Sequence, residues 1–126
     1  RRLYIARLDA NKRKLQNEAQ IIALLQQHQF EIISCSALSV IEQQRLFSQA
    51  AVVIAPHGAA LTNLLWCAPG TRILEFVPEG HHNPGFRDLA TLGKLDYAVL
   101  QSGKVSPQSE ELWLDLQPLQ RYLQQL

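Results

Sequence analysis

No run of apolar residues in this 126-residue chain approaches the roughly 20 that a membrane-crossing helix needs, so the chain carries no transmembrane segment of its own. Cysteine is scarce. Cys35 and Cys67 are too few for a disulfide framework, and both sit in apolar surroundings, as buried free thiols do. Methionine is absent, and Arg1-Arg2 leads directly into a strand pattern, so the expectation is a domain of a longer protein. Neither sign of charge dominates: the net charge is +1, which selects no partner in bulk. The basic residues do cluster, six against two acidic ones between Arg1 and Glu18. The run Lys12-Arg13-Lys14 lacks interleaved aromatic residues, which argues against nucleic acid as a partner. Neither G-x-G-x-x-G nor G-x-x-x-x-G-K occurs, which argues against a dinucleotide or Walker-type site.

One further absence organises the chain. Between Arg45 and Arg72 there is no Asp, Glu, Lys or Arg. Within that segment Ala51–Ala55 is an apolar, β-branched run, the pattern of a strand buried on both faces. Pro56 ends it, Gly58-Ala59-Ala60 follows, and a short apolar helix is expected over Leu61–Trp66. Pro69-Gly70 breaks that helix, and Thr71–Val77 reads as a second buried strand. The polar exceptions are His57, Thr62, Asn63 and, inside the second strand, Glu75.

The rest of the chain alternates in the same way. Strands are expected at Leu3–Ala6, Phe30–Ser34 and Tyr97–Leu100, with a short edge strand at Leu112–Leu114. Helices are expected from Asn17 to about His28, from the capping-box pattern Ser39–Glu42 to about Ala50, over Gly85–Leu92, and after Asp115. The last helix carries a stripe of Leu116, Leu119, Leu123 and Leu126, and Gln101–Glu110 reads as a polar linker. This order predicts an α/β fold over residues 1–126: one Rossmann-like parallel sheet of about five strands with helices on both faces.

Ligands of such sheets sit beyond the carboxyl ends of the strands. The loops there hold Arg7, Arg13, His57, Glu79, His81 and His82, with Asn63 one turn into its helix. Gly58-Ala59-Ala60 at a helix start offers backbone N–H groups to an anion, and Arg7 and Arg13 offer fixed positive charge. A tight strand-to-helix turn with solvated arginines explains the same residues. His57 serves as base, phosphate donor or packed structural residue; positioning of a phosphate or of the turn is preferred over base. Glu75 needs a partner if buried: either hydroxyls of a sugar, or Arg7, Arg13 or Arg72 in an ion pair. No metal site is expected, because no Cys or carboxylate cluster accompanies His81 and His82.

These residues also carry a resemblance. Tyr4-Ile-Ala-Arg7, Arg13-x-Leu15-x-Asn17-Glu18, Phe30, Leu38-Ser39 with Glu42-Gln43 and Phe47, His57-Gly58-Ala59-Ala60-Leu61-Thr62-Asn63, Glu75 and Pro78 occur in an order that resembles the C-terminal half of glycosyltransferase family 61. Ala60 and Ala6 stand where the family usually has Gly and commonly has Ser. That family includes plant xylan-decorating enzymes, O-linked GlcNAc transferases of the secretory pathway, and bacterial capsule or lipopolysaccharide enzymes. The resemblance implies a two-domain GT-B enzyme with this chain as its donor-binding half. It also implies inverting transfer from a nucleotide sugar to a glycan or glycoconjugate acceptor, without a cofactor and without a metal-binding D-x-D motif; none occurs here. The catalytic base is then expected in the N-terminal half, so this part alone binds donor better than it catalyses. The donor-binding residues implied are Arg7, Arg13, His57, Gly58, Ala59, Asn63 and Glu75. The expected location is cytoplasmic, either free or membrane-associated. The competing class is a non-catalytic α/β nucleotide- or ligand-binding module.

Overall fold

A computed structural model describes residues 1–6, 14–80 and 85–126, with the side chains of Ala59 and Ala60 also outside the description. Six strands form one sheet: β1 (Arg2–Ile5), β2 (Glu31–Ile33), β3 (Val52–Pro56), β4 (Arg72–Pro78), β5 (Asp96–Lys104) and β6 (Leu112–Trp113). Their spatial order is β2-β1-β3-β4-β5-β6. The first five run parallel, as the strand–helix alternation predicts, and β6 closes the edge antiparallel to β5. The order reverses between β1 and β3, the switch point of a doubly wound sheet.

Side-chain parity divides the core in two. Tyr4, Ile54, Leu74 and Phe76 face α1 (Glu18–Gln27) and α4 (Leu116–Gln124), which bury Ile21, Leu25, Leu119 and Leu123 against them. Leu3, Ile5, Val53 and Ile73 face the other way, against Phe47 of α2 (Val40–Ser48) and Phe86 and Leu89 of α3 (Gly85–Leu92). Burying both faces is what makes strands such as Val52–Pro56 continuously apolar instead of alternating. The capping box at α2 forms as expected: Ser39 Oγ accepts from the Glu42 N–H at 3.1 Å, and Glu42 Oε1 from the Ser39 N–H at 3.2 Å.

Two expectations need correction, and one contact was not foreseen. The helix expected over Leu61–Trp66 is a 3-10 helix over Ala59–Trp66. Its buried residues Leu61, Leu64 and Cys67 recur every third position, and three residues per turn keeps that row on the sheet. β5 runs on to Lys104, through the start of the expected linker. Ala98 and Leu100 pack inward and Ser102 is buried on the same parity, so Val99 and Gln101 between them occupy the opposite face. Asn17 caps α1 with no side-chain hydrogen bond. Its amide instead pairs both ways with the Leu114 backbone, Nδ2 to the carbonyl at 2.7 Å and Oδ1 from the N–H at 3.1 Å. With the Leu15–Leu112 bridge, this docks the segment before α1 against β6, four strands away from β1.

Candidate active site

His57 and Gly58 follow β3 directly, at the carboxyl edge beside the switch point. The His57 N–H continues the ladder, donating to the Phe76 carbonyl at 2.9 Å. Parity then places the His57 ring on the face that carries Ala55, Ile73 and Glu75, under α3. Glu75 pairs in register with Ala55 on β3 and Val99 on β5. His57 lies two residues past Ala55, and Tyr97 two residues before Val99. Both are diagonal neighbours of Glu75, a spacing that long ring side chains bridge.

The three side chains meet. His57 Nδ1 hydrogen-bonds Glu75 Oε2, and the Tyr97 hydroxyl donates to Glu75 Oε1. A carboxylate only accepts, so in that form its two oxygens take two donors, Tyr97 Oη–H and a His57 tautomer with its proton on Nδ1. Glu75 is 1% exposed and His57 9%. Phe86 closes the site with a T-shaped contact to the His57 ring, centroids 5.3 Å apart. Burial pushes the Tyr97 hydroxyl pKa well up, and the Glu75 bond and charge push it further, while the Arg87 charge on α3 opposes the rise.

Thus, among the described residues, the Glu75 partners are His57 and Tyr97. Arg72 points elsewhere, its guanidinium 4.0 Å from Asp96 and bonded to the Gln125 carbonyl. Asn63 is half-buried and donates to Gln43 Oε1 at 2.7 Å. Gln43 in turn holds the Cys35 and Leu38 carbonyls, so Asn63 braces the 3-10 helix against the loop after β2. Gly58 is half-buried and caps the 3-10 helix in extended backbone, its carbonyl accepting from the Leu61 N–H at 3.2 Å. Glu79 is exposed just past β4. Arg7, Arg13, His81 and His82 lie outside the described residues, as does the side chain of Ala59.

Tyr97 and Arg87 were not singled out in the sequence. The signal for Tyr97 was present: it shares parity with Ile73, and hence with Glu75, once β4 and β5 are paired in register. A second missed group is Ser102, whose Oγ is the buried side-chain polar atom without a hydrogen-bond partner among the described residues. It lines a small cavity at the same sheet edge with Pro56, His57, Phe76 and Pro78. A larger surface groove lies between β2 and α2, lined by Ile32, Ile33, Leu38 and Leu46, and none of the candidate residues reaches it; one of similar size, about 510 Å³, is lined by Glu79, Lys104 and Pro107. Of the polar groups of the first, Glu42 is engaged in the α2 cap and Arg1 with Glu31. Among the described residues no three His, Cys, Asp or Glu side chains converge to hold a metal ion, and no helix is long and apolar enough to cross a membrane.

The model of the family Glycosyltransferase 61 matches residues 1–74, from β1 into β4 and through the whole His57–Asn63 turn. The chain belongs to glycosyltransferase family 61. A beta-1,2-xylosyltransferase of Oryza sativa subsp. japonica is 36% identical to it over 59 residues, 47% of this chain. The chain spans only about a ninth of that relative's length, 11% by the matched segment. Glu75 and Tyr97 lie beyond the family match, so their place in the site comes from the geometry alone.

Proposed function

We propose that this chain is the donor-binding part of a nucleotide-sugar-dependent glycosyltransferase that acts in polysaccharide or glycoconjugate synthesis, as the C-terminal half of a two-domain enzyme. The observation that carries the reading is the position of the family-matched His57-Gly58 turn, at the carboxyl edge where a doubly wound sheet reverses its order. A sheet of this kind leaves a crevice at that point. The 3-10 helix after Gly58 has first-turn N–H groups with no partner inside the helix, and these suit the diphosphate of the donor. Arg7 and Arg13, which follow β1 in the sequence, supply positive charge. His57, held by Glu75, orients the ligand and the turn. Charge on the leaving diphosphate is then met by protein donors, with no cofactor or metal ion, and transfer inverts the sugar centre. The general base for the acceptor comes from the other domain.

Calorimetry of the full-length protein with nucleoside diphosphates and nucleotide sugars, in the presence of a chelator, tests this reading. Binding that survives the chelator and is weakened by Arg13→Ala is expected. A full-length protein that binds no nucleotide refutes it.

A further inference from the structure

We propose that Tyr97 is a positioning residue for His57, acting through Glu75. Its hydroxyl holds the carboxylate so that the other oxygen receives His57 Nδ1, and this fixes the tautomer and aim of the imidazole at the sheet edge. The proposal deepens, and rests on, the reading of that edge as the nucleotide-sugar site.

The order of support follows from where each side chain is anchored. In register, Glu75 has only Ala55 and Val99 beside it, and neither can orient a carboxylate. Its direction is therefore set by the two donors. Tyr97 is the fixed one: it stands within β5, and its ring packs with the Leu3, Ile73 and Phe86 cluster. His57 stands at the end of β3, next to Gly58, where the ladder stops. Phe86 limits the tilt of the imidazole, but a ring-edge contact does not choose which nitrogen carries the proton. The Glu75 oxygen bears on that choice, through Nδ1. Without the Tyr97 hydroxyl, a carboxylate oxygen loses its donor in a site that is 1% exposed, and the group turns to recover one. Among the described residues, the charged side chains that act on Tyr97 are Glu75 and Arg87.

The test uses the full-length protein with nitrogen-labelled histidine. Long-range proton–nitrogen spectra of wild type should show His57 protonated on Nδ1. In Tyr97→Phe the Nε2–H form should appear, and affinity for a nucleoside diphosphate should fall on the order of tenfold, the worth of one charge-assisted hydrogen bond. A Tyr97→Phe protein that is merely less stable, with the wild-type His57 spectrum, overturns the proposal whatever it binds. Should that variant not fold, the wild-type spectrum decides: His57 protonated on Nδ1 supports the proposal, and the Nε2–H form overturns it. If wild type binds no nucleoside diphosphate, the donor-site reading fails, and the nitrogen spectra still settle whether Tyr97 positions His57.

Discussion

Replacing Glu75 by glutamine separates a ligand-binding carboxylate from a purely structural one. Glutamine keeps the size of the side chain and one carbonyl acceptor. The two donors on the wild-type carboxylate are the Tyr97 hydroxyl and His57 Nδ1. The glutamine can still serve both, with its carbonyl toward Tyr97 and its amide toward His57, but only if His57 moves its proton to Nε2. The fold should therefore survive. Two charge-assisted hydrogen bonds, worth about 1.5–3 kcal/mol each, become neutral ones worth about 0.5–1.5, so the expected loss is about 2 kcal/mol. Glu75→Ala should cost more, about 3–5 kcal/mol, because it leaves two buried donors facing a void.

Denaturant unfolding with and without nucleoside diphosphate reads both effects at once. Ligand at a hundredfold excess over Kd adds about 2.7 kcal/mol to wild type. A tenfold weaker Kd in Glu75→Gln lowers that gain to about 1.4 kcal/mol at the same concentration. The outcome that refutes the donor-site role is a stability loss above about 4 kcal/mol together with an undiminished ligand gain. Glu75 would then be a structural partner of His57 and Tyr97 and nothing more.

Other variants test separate links in the chain from sequence to site. Arg7→Ala and Arg13→Ala should each weaken nucleoside diphosphate binding by roughly 1–3 kcal/mol, and unchanged affinity in both by calorimetry would remove the charged side of the site. Ser39→Ala, which removes one half of the α2 capping box, should cost about 1 kcal/mol in denaturant unfolding. Burial pushes the Cys67 thiol pKa up to about 11, so in the folded protein it should react with thiol reagents at pH 8 far more slowly than half-exposed Cys35. The Tyr97 hydroxyl has its pKa raised on folding, so its stabilisation is complete below the unfolded value of about 10 and is lost as pH rises through the folded value. Tyr97→Phe should flatten that alkaline limb of the stability curve.

The elements legible in the sequence are those set by local patterns. Periodicity and caps gave α2, α3 and α4 and the β1–β5 strands because each signal lies within a few residues: a capping box at Ser39, an aspartate at Asp115, a β-branched run at Val52. Where packing across the sheet decides, local patterns fall short. The 3-10 helix forms because Leu61, Leu64 and Cys67 all have to reach the same face, and a local reading takes Leu61–Trp66 as an ordinary short helix. The linker pattern at Gln101–Glu110 hides four more residues of β5, because an alternating polar strand and a polar loop have similar composition.

The site shows the same limit more sharply. A carboxylate in an apolar strand announces that something satisfies it, and Glu75 could be picked out on that ground alone. What satisfies it is a matter of register. His57 is 18 residues earlier and Tyr97 is 22 later, and they meet because Ala55 and Val99 pair with Glu75. Shifting either pairing by one residue would turn that strand's partner to the opposite face and leave a carboxylate oxygen bare in the core. The apolar rows of β3 and β4 are themselves continuous on both faces, so hydrophobic burial alone discriminates weakly between the two registers of that pair. The polar triad discriminates strongly, since a slip costs an unsatisfied buried charge. The same three side chains that shape the candidate donor site therefore also help to fix how the strands beneath it are aligned.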